Sequence, residues 1–368
     1  MYIKHVSELV QKEGGLTMKI CVCGSGNIAC ATAADLALMG HEVRLFELTR
    51  FENSIVPIKE AGGIELRGER TQSGKTGKAH LSLVTTNPED AIRGVEVIFL
   101  CVPGVGHLPF VEALGPYLEE GQVLFIPTDY WATLRAAKHL GSIDKLNSVV
   151  LAGGVASCYL AAKIGPTQAM ISYLSPPGLA FSAFPSINTE KAWDKVKQLY
   201  PQYEKVPNVI AVNFQTAKML APLAGLVLDQ SDDRTPASLA FKVVKGMYEE
   251  RLKLGKVLDY EEPMPSQEEI LMTDIPVTSS IPHTPAMVHL PIEVQKSVLR
   301  EDLPYGYVPR IALAKLLGVC TPVTEAVTTL LGLYLDFDPY EEGIDEEDLG
   351  LAGFTAQEIK KYVNTGER

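Results

Sequence analysis

Short continuous apolar runs recur through the first half of the chain, at residues 18–23, 43–46, 95–102, 123–126, 148–155 and 169–174. Runs of about four to eight such residues between turn signals are the pattern of strands buried on both faces of a parallel sheet. Helical stretches separate them, at 88–94, 107–118, 130–139 and 189–200. Gly62-Gly63 and the polar stretch 67–78 predict a hairpin-like insertion whose alternating strands are 64–66 and 81–84, and residues 178–185 close this half. From Asn213 onward the apolar period becomes helical, predicting helices over 217–228, 236–254, 309–317 and 321–334. The pattern as a whole predicts an α/β protein: a doubly wound sheet domain over 18–188, then a mostly α-helical domain over 189–368. Residues 1–17, ending in the break Glu13-Gly14-Gly15, read as an extension that is either a short helix or disordered.

The first apolar run leads into Gly24-Ser25-Gly26-Asn27-Ile28-Ala29, then a small-residue amphipathic helix, then a second run that ends on Glu47. This is the arrangement of a Rossmann-type dinucleotide grip. Gly24 allows the tight strand-to-helix turn, Gly26 lets backbone N–H groups approach a pyrophosphate, and Ala29 permits close helix–strand packing. The N–H groups of Asn27 and Ile28 open the helix, whose N-terminal partial charge favours phosphate. Glu47 would accept from the ribose 2′-hydroxyl of NAD and repel the 2′-phosphate of NADP, so NAD is favoured. Arg50 keeps NADP open, since it could reach such a phosphate; otherwise it is a solvated surface arginine.

A later apolar run stops at Pro103-Gly104, the strand end where ligands collect in doubly wound sheets. Pro103 is accordingly placed beside the cofactor. His107 follows as either a neighbour of nicotinamide or substrate, or a helix-start histidine bonded to backbone. Asp129, after the run 123–126, reads as the cap of the next helix rather than a group facing a cleft.

At 368 residues the chain fits two domains. A net charge of −12 argues against a nucleic-acid partner, and no apolar stretch is long enough for a membrane span. The N-terminus lacks the apolar core of a secretory signal, so a cytoplasmic location is expected. The six cysteines are scattered without metal-ligand spacing or a histidine cluster and read as small buried hydrophobes. Small molecules are the expected partners, with a homodimer as one candidate assembly.

Arg300-Glu301-Asp302-Leu303-Pro304-Tyr305-Gly306-Tyr307-Val308-Pro309 runs into Gly318-Val319-Cys320-Thr321-Pro322, and Tyr248-Glu249-Glu250-Arg251-Leu252 stands upstream. With Pro103-x-x-x-His107, these segments resemble the octopine/nopaline (opine) dehydrogenase family. The resemblance covers nearly the whole chain from Met18. It implies an enzyme that joins an amino acid or amine to a 2-keto acid and reduces the imine with NAD(P)H, or runs the reverse oxidation. It also implies a catalytic role for Asp302, which matches the family's aspartate.

Two family residues are missing. The family's histidine falls at Ala221, and its arginine five residues before the aspartate falls at Ser297, flanked by Lys296 and Arg300. Lys218, one turn before Ala221, is the candidate replacement acid, because a desolvated lysine can titrate near neutrality. Lys296 and Arg300 are the candidate substrate cations. His283 and His289 could alternatively fold back toward Asp302. The departures leave two other readings: a keto-acid reductase or hydroxy-acid dehydrogenase of the ketopantoate-reductase-like type using Lys218, and a dinucleotide-binding protein without catalysis.

Overall fold

The computed structural model describes residues 17–215, 238–261 and 292–368. Lys218, Ala221, His283, His289 and the helix expected over 217–228 lie outside the described residues. The chain forms two compact units, and their borders differ from a single cut after residue 188. The first unit holds the chain through Thr128, then His139–Leu179 and Glu190–Glu204; the second holds Asp129–Lys138, Ala180–Thr189 and the chain from Lys205.

The strands of the first unit are β1 (Lys19–Cys23), β2 (Glu42–Phe46), β3 (Gly63–Arg67), β4 (Gly77–His80), β5 (Leu83–Thr85), β6 (Val97–Leu100), β7 (Gln122–Ile126), β8 (Val149–Gly154), β9 (Tyr159–Gly165) and β10 (Gln168–Leu174). Six of them lie in the order β8-β7-β6-β1-β2-β5 within the main sheet. Their pairings are all parallel; Val22, for example, stands between Leu45 and Phe99. β6 and β7 are buried at every position, as their unbroken apolar runs require. The chain leaves β1 toward β2 on one side and returns as β6 on the other. That reversal puts a crevice at the carboxyl end of β1, where the Gly24 loop begins.

A second sheet, β4-β3-β10-β9, covers the helix Asn27–Met39. Ala29 through Leu36 are therefore buried without interruption, and this helix is not the amphipathic one its sequence position suggested. Asp35 is tolerated at zero exposure because Gln72 N, Ser73 N and Tyr159 Oη all donate to it, at 2.7, 3.1 and 2.6 Å. The insertion hairpin is real but pairs differently from expectation: β3 lies antiparallel to β4, with Ile64 opposite Ala79. Leu83–Thr85 instead extends the main sheet beside β2. β9 had no counterpart in the sequence reading, since only part of its surface is covered and Leu160 and Ile164 face outward.

In the second unit, the helices Leu239–Val257, Val308–Leu316 and Pro322–Tyr334 match the expected helical periods within a few residues. Glu250, buried in the first of these, accepts from Val323 N and Thr324 N at 2.7 and 2.9 Å and so caps the third. The helix Ile292–Asp302 continues through a π-helical turn, Leu303–Tyr307, into Val308–Leu316. Pro304 and Pro309 lack the N–H groups that an uninterrupted α-helix would use, and the widened turn accommodates the loss. Cys320 is exposed, unlike the buried position expected of it. Among the described residues no helix is long and apolar enough to cross a membrane.

Candidate active site

The Gly24 loop takes its shape from its glycines. Gly24 has φ +101°, and a Cβ there would stand 2.7 Å from Val102 Cγ1 and 2.9 Å from Cys101 O, at the end of β6. Only glycine fits. Gly26 caps the helix Asn27–Met39 without any side-chain hydrogen bond, and a Cβ on it would meet nothing within 4 Å. The first N–H groups of the helix thus face open space that a side chain would otherwise fill, which suits a dinucleotide pyrophosphate. Ala29 is buried against Gly24, and Ile28 is half-buried. Asn27 spends its side-chain oxygen on Lys163 N at 2.8 Å, leaving its backbone N–H as the group offered to a ligand.

Glu47 is buried at the end of β2. Ser25 Oγ donates to its Oε2 at 2.7 Å and Leu48 N to its Oε1 at 2.9 Å, so the carboxylate is pinned beside the loop. Arg50 is exposed, with its guanidinium over the Phe51 ring at 5.0 Å. Pro103 is an exposed residue capping the helix Gly104–Leu114, and His107 is buried within that helix.

The second unit holds the candidate acid. Asp302 is 1% exposed, and the Tyr130 hydroxyl donates to its Oδ1 at 2.5 Å. Burial pushes the Asp302 carboxyl up to about 8; the Tyr130 hydrogen bond pulls against that rise, and the Glu301 charge adds to it. Its Oδ2 has no hydrogen-bond partner among the described residues. Burial also raises Tyr130, with the Asp302 and Glu301 charges, so the phenol stays a neutral donor. Tyr307, raised by burial and by Asp302, likewise has a hydroxyl with no partner among the described residues.

Tyr130 reaches Asp302 through an unusual backbone. Tyr130 and Trp131 have φ of 39° and 62°, which costs bulky residues ~1–3 kcal/mol each. The kink is held by Trp131 N donating to Asn213 Oδ1 at 2.8 Å and by Asn213 Nδ2 donating to Asp129 Oδ2 at 2.5 Å. Asp129 also accepts from Thr133 N at 2.8 Å, the expected cap of the helix Ala132–Ser142. That helix starts two residues later than predicted because the kink occupies positions 130 and 131.

Arg300 and Lys296 are not gathered around Asp302. Arg300 is exposed, donates to Leu335 O and lies over the Phe337 ring; Lys296 stands over Tyr334 and 3.7 Å from Glu293. A different cation is buried: Arg310, 3% exposed, rests over the Tyr307 ring at 5.5 Å. Among the described residues its Nε has no partner and no carboxylate lies within ion-pair distance, and burial lowers it to about 10. Sequence reasoning missed Tyr130, Tyr307 and Arg310. Tyr307 and Arg310 sit in or beside the Asp302 segment and could have been flagged there, whereas nothing local marks Tyr130 as a partner of a residue so distant.

No family model matches the chain. A curated opine dehydrogenase from Arthrobacter sp. (strain 1C) is 26% identical over 362 residues, covering 93% of this chain and 98% of that protein. Among solved structures, octopine dehydrogenase with NADH and L-arginine superposes with a TM-score of 0.71 at 17% identity, covering 96% of this chain and 99% of that one. NADP+-bound yersinopine dehydrogenase gives a TM-score of 0.64 at 15% identity, covering 95% and 98%. The chain is thus similar in sequence to an opine dehydrogenase and has the fold of octopine dehydrogenase, each along nearly its whole length.

Proposed function

We propose that this chain is an NAD(P)-dependent oxidoreductase of the opine-dehydrogenase type, acting on CH–NH donors. It condenses an amino acid or amine with a 2-keto acid and reduces the imine, or oxidises the product in reverse. The observation that carries this reading is the buried Asp302 carboxyl, pushed up to about 8 with Oδ1 held by Tyr130 and Oδ2 left open. Octopine dehydrogenase has been solved with NADH and L-arginine and with pyruvate, which supports an amino acid and a keto acid as the substrate classes.

Attack of the amine on the keto carbon forms a carbinolamine whose hydroxyl must leave as water, and that step needs a proton donor. Asp302 is protonated at neutral pH. Because Oδ1 accepts from Tyr130, the proton resides on Oδ2, from which it passes to the departing hydroxyl. The carboxylate so formed keeps the Tyr130 hydrogen bond, which stabilises it. A bound dinucleotide supplies the hydride that reduces the imine carbon. The loop N–H groups from Gly26 to Ala29 hold its phosphates, and Glu47 accepts from its adenosine ribose, favouring NAD. Pro103 and His107 border that site in this reading, and Lys218 serves as a second acid–base group. Arg310, a buried cation lacking a counter-ion among the described residues, is assigned to a substrate carboxylate in place of Arg300 and Lys296.

The test is NADH and NADPH consumption with keto acid alone, amine alone and both together. Turnover only with both supports the reading. Turnover with keto acid alone would assign a plain keto-acid reductase, and tight dinucleotide binding with no turnover across a broad panel would assign a non-catalytic binder. A cytoplasmic location and a homodimer belong to the same reading, checked by fractionation and by light scattering.

A further inference from the structure

Lys163 lies in β9, on the second sheet, and no sequence motif draws attention to it. Its backbone N donates to the Asn27 side chain at 2.8 Å, which docks the strand against the first residue of the helix after the glycine loop. Its ammonium donates to Ser25 O at 3.1 Å and Ser54 O at 3.3 Å. The hydroxyls of those same two serines are 2.6 Å apart, and Ser25 Oγ continues to Glu47 Oε2 at 2.7 Å. The ammonium therefore sits on the side of the loop that carries the adenosine-ribose carboxylate.

An ammonium has three donors, and the two carbonyls occupy two. Among the described residues no carboxylate lies within ion-pair distance of Lys163, so none of them neutralises its charge. Carbonyl oxygens fix an ammonium in place without neutralising it. A half-buried, fixed and uncompensated cation at a loop whose helix N-terminus also favours anions is complementary to phosphate.

We propose that Lys163 is a phosphate-binding residue of the dinucleotide site, supplied by the second sheet rather than by the glycine motif. The inference rests on the reading of the Gly24 loop as a dinucleotide site. Its ligand is a phosphate on the adenosine side of the cofactor, either within the pyrophosphate or, in NADP, on the ribose 2′ position. The second sheet then has a role beyond covering the helix Asn27–Met39: it carries a cation to the loop.

The test compares wild type, Lys163→Gln and Lys163→Arg by titration calorimetry with NADH and with NADPH, at two salt concentrations, with thermal midpoints checking the fold. If the phosphate is in the pyrophosphate, Lys163→Gln weakens both cofactors by about ten- to a hundredfold, and Lys163→Arg retains most of the affinity. If it is the 2′-phosphate, only NADPH weakens. In either case the salt dependence of the affected Kd is shallower in Lys163→Gln, because one screened charge contact is gone. A strut without a ligand contact would leave that dependence unchanged. Kd values within twofold of wild type for both cofactors, or a loss with unaltered salt dependence, would overturn the proposal. Wild-type protein that binds neither cofactor would remove the dinucleotide reading itself, a failure distinguishable from that of Lys163 alone.

Discussion

The Tyr130 hydroxyl donates to Asp302 Oδ1 at 2.5 Å, joining two residues 172 positions apart in sequence. The contact acts against the burial of Asp302. Desolvation favours the neutral acid, while the phenol favours the carboxylate, and the balance leaves a group that titrates at about 8. An acid tuned to that range still holds its proton at neutral pH and gives it up at modest cost.

The pH profile follows with opposite signs in the two directions. Reductive condensation needs protonated Asp302, so kcat/KM falls as pH rises through about 8; oxidation of the secondary amine needs the carboxylate, so it rises over the same interval. Initial rates from pH 6 to 10 in both directions check this. Limbs running in the same direction would remove Asp302 from the proton transfer.

Tyr130→Phe removes the interaction that lowers Asp302, so the alkaline limb of the reductive profile moves to higher pH. Maximal turnover drops as the carboxylate formed during dehydration loses its donor, on the order of ten- to a hundredfold. Steady-state profiles of the variant measure both effects.

Asp302→Asn separates activity from stability. Turnover is expected to fall by roughly 10²- to 10⁴-fold with NADH affinity nearly unchanged, since the Gly24 loop, to which we assign the dinucleotide, belongs to the other unit. Stability moves the other way. Between the ordinary carboxylate value of 3.8 and about 8, native Asp302 binds a proton that the unfolded chain has released, so stability falls as pH rises through that window. The asparagine variant lacks this loss, and its thermal midpoint exceeds that of wild type at pH 8 but not at pH 4.

Two glycines of one loop give different phenotypes. Gly24→Ala places a methyl 2.7 Å from Val102 Cγ1 at φ +101°, costing about 1–3 kcal/mol of stability as well as cofactor binding. Gly26→Ala meets no atom within 4 Å, so the fold is expected to be kept while the methyl enters the space we assign to the cofactor's phosphate and weakens NADH binding. Thermal melts and NADH titration of the two variants make the comparison.

The cap at Asp129 is the device that holds Tyr130 in place. Asp129→Ala removes the acceptor of Thr133 N, of the Thr133 hydroxyl and of one of the two Asn213 Nδ2 hydrogen bonds, the other of which goes to Val209 O, and a loss of about 2–3 kcal/mol is expected. Activity in Asp129→Ala falls along with stability, because the strained turn that aims the phenol is no longer braced. Denaturant melts alongside turnover at low temperature separate the two losses.

Local chemistry was enough to read the parallel strands and the Gly24–Glu47 loop, whereas the Asp302 segment was marked by its resemblance to a family motif. A buried strand needs an unbroken apolar run, a tight strand-to-helix turn needs glycine, and both requirements are met within a few neighbouring residues. Long-range packing was not readable in this way. Leu83–Thr85 looked like the return of a hairpin because its alternation is the same whether it pairs with β3 or with β2. The helix Asn27–Met39 is buried all round because a second sheet covers it, and small residues alone do not say what lies on either side.

By itself, then, the sequence determined the strands of the sheet and the turn at Gly24, since each rests on backbone sterics or on solvation of contiguous residues, and it marked the Asp302 segment only by likeness to a family motif. Tertiary structure alone decided how those residues act. It buried Asp302 and set Tyr130 against it, drew Arg300 out to Leu335, laid the buried Arg310 guanidinium over the Tyr307 ring, and carried Lys163 to the loop of Ser25. Protonation and charge depend on what surrounds a group in space, and those neighbours come from distant parts of the chain.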